Sequence, residues 1–252
     1  MINRESNEYS QPLKDDEIVA NKDITWYKKF FAELIGTAFL VFVVTGIPIF
    51  TLDLDYYDFY SYNGHFEAAF VLTSMIYIFG RISGGHFNPA VTIPMFLRKK
   101  ITLIECGYYI GAQIIGAFIG SLCVGLCNRG EFSYLAGNSI RSSGESKGWD
   151  YFSCFFIEVI LTFGLVLVIF ASTIKANNFG NLTGLIVGIS LYFLGITGDG
   201  VSGGSLNPAR SIAPAIIMAF AGKTTPLKHL WLFIIAPITG GIAAGYLTIL
   251  FE

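Results

Sequence analysis

The 252-residue sequence predicts an all-α membrane protein, with six transmembrane helices plus two re-entrant half-helices arranged as two inverted repeats. Three observations predict it. Hydrophobic residues make up 53% of the chain and charged ones only 13%, with a mean hydropathy of +0.60; a water-soluble domain carries about a quarter charged residues. The chain also divides into six apolar windows, each near the ~20 helical residues needed to cross ~30 Å of hydrocarbon. Finally, an eleven-residue segment recurs in related form 119 positions downstream.

Residues 1–29 hold 11 of the 34 charged residues, including Asp15-Asp16-Glu17, and have no apolar run before Trp26. They read as a solvated cytoplasmic tail and not as a secretory signal. Residues 30–252 follow as one membrane domain. Its windows are 30–52, with the single charge Glu33; 59–80, with Glu67; and 106–128, with none. The second set is 151–174, with Glu158, then 176–198 and 230–251, both uncharged. Two further uncharged stretches, 82–97 and 200–209, do not suit a full crossing. They read as re-entrant segments, whose non-helical backbone must be buried in protein or line water.

Six crossings place both termini on one side. Lys22, Lys28, Lys29, Arg81, Arg98, Lys99, Lys100 and Lys175 share that side, against Arg129, Arg141, Lys147, Lys223 and Lys228 opposite. The excess of Lys and Arg assigns the termini to the cytoplasm. The net charge of −2 argues against a nucleic-acid partner. Cys106, Cys123, Cys127 and Cys154 lie in or beside the windows and read as packing residues; no metal site is expected of them. The Asn181-Leu182-Thr183 sequon falls beside a cytoplasmic loop and reads as chance.

The repeat carries the functional argument. Ser83-Gly84-Gly85-His86-Phe87-Asn88-Pro89-Ala90-Val91-Thr92-Ile93 answers to Ser202-Gly203-Gly204-Ser205-Leu206-Asn207-Pro208-Ala209-Arg210-Ser211-Ile212. Upstream, Phe31-Ala32-Glu33-Leu34-Ile35 answers to Phe156-Ile157-Glu158-Val159-Ile160, 125 positions on. The repeats therefore run over about 30–128 and 151–251. Three crossings is an odd number, so the halves enter the bilayer in opposite directions, a plan that puts functional sites near the midplane. Asn is a strong N-cap and Pro suits the first helical position, so Asn88-Pro89 and Asn207-Pro208 each start a short helix. The positive dipole ends and both amides then face one spot.

With these residues the sequence resembles the aquaporin, or major intrinsic protein, family over residues 30–251. The signature Ser-Gly-x-His-x-Asn-Pro-Ala-Val-Thr stands at 83–92, Asn-Pro-Ala-Arg-Ser at 207–211 and Glu-x-x-Gly-Thr at 33–37. The resemblance implies that Asn88 and Asn207 donate hydrogen bonds to a passing water, with Pro89, Ala90, Pro208 and Ala209 shaping the helix starts. It also places Arg210 at the selectivity filter and makes Glu33 and Glu158 structural braces of the re-entrant loops. His86 and the motif glycines read as structural. Counting back from the two Asn gives Ala68, Gly195 and Gly204 as the rest of the filter, with Tyr192, Phe193 or Leu194 replacing Gly195 if the fifth span slips. No histidine is available for the filter walls, since the only three are His65, His86 and His229.

That small-residue set implies a wide opening, while Ser211, Ala215 and Phe233 match water-conducting members and Ile234 departs from them by replacing their usual Trp. The reading is a water channel that excludes protons and ions. Alternatives are a channel for glycerol, urea or other small uncharged solutes and, remotely, a non-conducting junctional protein. A coupled transporter is disfavoured, because neither Glu33 nor Glu158 is adjacent to an Asn-Pro-Ala motif in the sequence. No cofactor is implied, and no nucleophile, base and orienter cluster suggests an enzyme. The resemblance further implies a homotetramer with one pore per subunit, in contact with membrane lipid, in a plasma or vacuolar membrane. Gly107, Gly111, Gly116 and Gly120 offer close helix packing.

Overall fold

In the computed structural model, residues 24–50, 57–141, 147–174, 177 and 179–251 are described. The predicted tail up to residue 23 and Lys175 lie outside the described residues. The first repeat comprises α1 (Trp26–Phe50), α2 (Tyr57–Ser83), the half-helix α3 (Pro89–Leu97) and α4 (Leu103–Cys127). The second comprises α5 (Gly148–Thr173), α6 (Thr183–Ser202), the half-helix α7 (Pro208–Phe220), the short α8 (Thr225–His229) and α9 (Leu232–Leu247). Among the described residues, six spans are long and apolar enough to cross a membrane, the last running Thr225–Phe251 through α8, α9 and a closing 3-10 turn.

Local chemistry sets the helix ends. Asn88 caps α3, its side chain accepting from Ala90 N at 2.8 Å, and Asn207 caps α7 by accepting from Ala209 N at 3.0 Å and Arg210 N at 3.4 Å. Each is followed by Pro at the first helical position, where no backbone donor is lost. Thr102 and Glu105 form a reciprocal capping box at the start of α4.

Two expected segments shift. The fifth crossing begins at Thr183, seven residues after the 176–198 window opens, because a 3-10 turn at Gly180–Leu182 precedes it. It ends at Ser202, where Gly203 takes the left-handed φ of 81°. The second re-entrant helix extends to Phe220, far past the 200–209 stretch. Arg210 had cut that stretch short, although its side chain is buried within the protein.

The pairings between helices come in symmetric sets. α1 packs extensively on α4, and α5 on α9; α1 meets α2 as α5 meets α6; and each half-helix crosses to the other repeat, α3 against α9 and α7 against α4. The close approaches depend on missing side chains. A Cβ on Gly116 of α4 would stand 2.3 Å from the Leu34 carbonyl, and one on Gly240 of α9 2.2 Å from that of Val159. Gly116 and Gly120 thus serve packing inside the subunit, whereas nothing lies within 4 Å of a Cβ placed on Gly107 or Gly111. Exposed apolar side chains also repeat, with Phe31 and Ile35 on α1 matched by Phe156 and Ile160 on α5. Apolar side chains facing outward all along a span suit a hydrocarbon surrounding.

Candidate pore

A cavity of about 1030 Å³ runs through the protein between the two repeats. One mouth is lined by His65, Arg141 and Asp199, the other by Lys100, Ile101, Ser172 and Thr183. Midway it passes Asn88 and Asn207.

The two caps are crossed. Asn88 Nδ2 donates to the Leu206 carbonyl at 2.8 Å, and Asn207 Nδ2 donates to the Phe87 carbonyl at 2.9 Å. Each amide oxygen is occupied by its own helix start. A side-chain amide carries two N–H bonds, so each Asn retains one beyond its cross-link while lining the cavity. Phe87 and Leu206, immediately before the two Asn, hold left-handed φ angles of 49° and 54°. Such angles are costly for non-glycine residues and persist only where the surroundings over-determine them.

The surroundings here are the two buried glutamates. Glu33 accepts from the backbone N–H of His86 at 2.9 Å and Phe87 at 2.7 Å, from Ser83 Oγ at 2.6 Å and from Gln113 Nε2 at 2.8 Å. Glu158 accepts from Ser205 N at 2.8 Å, Leu206 N at 2.9 Å and Ser202 Oγ at 2.6 Å. Both carboxylates are fully enclosed. A carboxylate turned onto otherwise orphaned backbone donors removes a large desolvation penalty. Although far from the Asn-Pro-Ala motifs in sequence, each glutamate bonds the residue directly before one.

Above the crossed pair, Arg210 lies in the first turn of α7 and lines the cavity, its Nη1 donating to the Ala136 carbonyl at 3.0 Å. Ala68 and Gly204 line the cavity with it. Gly204 has φ of 57°, and a Cβ there would stand 2.6 Å from the Gly195 carbonyl. Gly195 is buried, and a Cβ on it would meet His65 Nδ1 at 2.4 Å. His65 Nε2 lies 3.0 Å from Asp199 Oδ1, which also accepts from Arg141 Nη2 at 3.2 Å.

The sequence model of the family described as "Major intrinsic protein" matches residues 20–248. The chain belongs to the major intrinsic protein family. It is 38% identical to the glycerol uptake facilitator protein-like 6 of Lactiplantibacillus plantarum over 221 residues, 87% of this chain and 95% of that protein. It is 30% identical to nodulin-26 of Glycine max, over 98% of this chain and 84% of that one, and 32% identical to aquaporin Z of Photorhabdus laumondii, over 86% and 94%. The X-ray structure of the aquaglyceroporin from Plasmodium falciparum superposes with a TM-score of 0.75, covering 89% of this chain and 96% of that one at 24% identity, a likeness of fold. The protein is therefore an integral, multi-pass membrane channel of this family.

For a major intrinsic protein, the counted positions fall unevenly. Asn88, Asn207, Arg210, Ala68 and Gly204 meet on one cavity, while Gly195 stands behind the His65 ring. The alternatives to Gly195 point elsewhere: Phe193 is exposed, Tyr192 packs edge-on against Phe66, and Leu194 faces Gly164. His65 was missed. Counting along one helix from the Asn motifs does not find a ring that reaches from α2 across to α6. Among the described residues, none of the four cysteines lines the cavity.

Proposed function

We propose that the protein is a passive water channel that excludes protons and ions. The observation that carries the reading is the crossed pair of Asn88 and Asn207, each with an amide N–H left over where the cavity passes. A water oxygen that accepts from both amides cannot accept from the next water in the file, which interrupts proton hopping at that point. The N-termini of α3 and α7, directed to the same place, raise an electrostatic barrier to cations. Arg210 adds a fixed positive charge and donors. Pro89, Ala90, Pro208 and Ala209 hold the helix starts, and Glu33 and Glu158 hold the loops. The test is stopped-flow light scattering on proteoliposomes, with a pH-sensitive dye inside. Rapid osmotic shrinkage without proton entry is expected, and shrinkage no faster than in protein-free vesicles refutes the reading.

A second reading, passage of glycerol, urea or similar uncharged solutes, draws support from the small Ala68 and Gly204 beside Arg210 and from the 38% identical relative named as a glycerol uptake facilitator-like protein. The same vesicles under a glycerol or urea gradient separate the two. The assembly we infer is a homotetramer with a pore in each subunit, supported by the open face of α4 at Gly107 and Gly111. The Lys and Arg distribution supports cytoplasmic termini, in a plasma or vacuolar membrane, with a tail that gives way to the channel domain at Trp26, where α1 begins, and not at the expected residue 30.

A further inference from the structure

We propose that His65, moored by Asp199, sets the bore of the outer constriction. The proposal rests on the reading of the cavity as a conducting path. Beside Arg210, Ala68 and Gly204 contribute only small side chains to the wall at this level. His65 sits one turn nearer the mouth than Ala68 on α2, and its ring crosses to α6. There it lies against bare backbone, because the space a Gly195 side chain would fill holds His65 Nδ1, 2.4 Å from the ideal Cβ. Gly195 is thus required by the imidazole, not by the opening.

The mooring is directional. Asp199 lies one turn beyond Gly195 on the same face of α6, and its Oδ1 takes both His65 Nε2 at 3.0 Å and Arg141 Nη2 at 3.2 Å. A carboxylate oxygen only accepts, so in this bond Nε2 is the donor, and the bond sets the ring orientation. His65 and Asp199 both border the cavity. Clearance decides which neutral solute passes such a constriction, so the ring acts as a size-setting wall and Asp199 as a positioning residue.

The experiment uses full-length protein in liposomes and reads the permeability ratios of glycerol and erythritol to water. His65→Ala is expected to raise both ratios about tenfold, the low end of what one steric contact discriminates. Asp199→Ala, which frees the ring, should raise them in the same direction, while Asp199→Asn, whose amide oxygen still accepts from Nε2, should keep the parent ratio. A strap that only holds α2 to α6 would alter yield without altering the ratio. Gly195→Ala should push the ring into the lumen and lower glycerol flux about tenfold, and His65→Ala in the same chain should restore it. The Gly195→Ala and Asp199 variants decide the matter if His65→Ala does not fold. Unchanged ratios in His65→Ala vesicles that still pass water, or a Gly195→Ala defect that His65→Ala does not relieve, would overturn the proposal and leave the channel reading intact. Parent vesicles no faster than protein-free ones would overturn both.

Discussion

The two repeats hold their re-entrant loops by the same device and supply it unequally. Glu33 receives four donors, including Gln113 Nε2, which also reaches Thr92 Oγ1 at 2.9 Å. Glu158 receives three. The counterpart of Gln113, found by aligning Gly116 with Gly240, is Pro237, which offers no side-chain donor. Around the motif, His86 Nδ1 pairs with Thr92 Oγ1 at 3.2 Å in the first repeat. In the second, the equivalent Ser205 and Ser211 hydroxyls lie 2.5 Å apart, and Ser211 extends to Asn138 at 2.9 Å. These side-chain contacts of the first half stay within its own repeat, while those of the second engage the 130s segment, and the second carries Arg210 where the first has Val91.

Packing beneath the loops differs by redistribution of volume. In the first repeat Gly36 makes room for the Phe87 ring, which also meets Phe79 edge-on at 6.5 Å. In the second the corresponding residues are Leu161, Leu206 and Gly198, and Leu161 fills the space against Gly198. Gly, Phe and Phe in one half do the work of Leu, Leu and Gly in the other. The difference teaches that the repeat conserves acceptor positions and helix starts, whereas bulk is free to move among neighbours so long as the sum fits.

The comparison can be broken most severely at the carboxylates. Glu33→Ala strands two buried backbone N–H groups and two side-chain donors, and should cost about 4 kcal/mol, against about 3 kcal/mol for Glu158→Ala. Thermal unfolding in detergent would rank them, and a smaller loss for Glu33→Ala would contradict the unequal bracing. Next, Gly36→Leu places a Cβ 2.1 Å from the Phe87 ring and is expected to cost about 3 kcal/mol. Combining it with Phe87→Leu, which converts the first half toward the second, should bring stability back within about 1 kcal/mol of the parent. Strict additivity would mean the volumes are not exchangeable. Arg210→Val gives the second half the residue of the first, and should raise proton or solute conductance about tenfold, or ~1.4 kcal/mol of barrier; an unaltered profile in well-inserted protein would remove Arg210 from the filter. At the smallest end, Gly111→Ala enters open space and should shift subunit stability by no more than about 0.5 kcal/mol. Loss of the proposed tetramer on size-exclusion chromatography would then mark that face as a contact between subunits.

What the sequence made readable was whatever repeats at a constant offset or has an unambiguous local role. The six crossings follow from apolar length, and the Asn-Pro starts from capping chemistry, and both survive in the structure. Arg210 hid most of α7, because a charge normally ends an apolar stretch and this one is enclosed by the fold. Side-chain exchanges across helices were not readable. Nothing in Gly36 announces Phe87, about fifty positions away, and nothing in Gly195 announces His65. The left-handed turns at Phe87 and Leu206 were equally silent, since neither residue type favours them and only the buried glutamates explain them.

The crossed amides have a consequence for biosynthesis. Their hydrogen bonds join residues 118 and 120 positions apart, so neither can close until the second Asn-Pro-Ala segment has left the ribosome. Closing so distant a pair carries a loop entropy that local helix formation does not. The first re-entrant loop must therefore wait, braced by Glu33 but unfastened at its tip, through the synthesis and insertion of three further crossings. The conduit is completed only once the half-helix of the second repeat has been made, and a truncated first half, however well inserted, stays an open-ended intermediate.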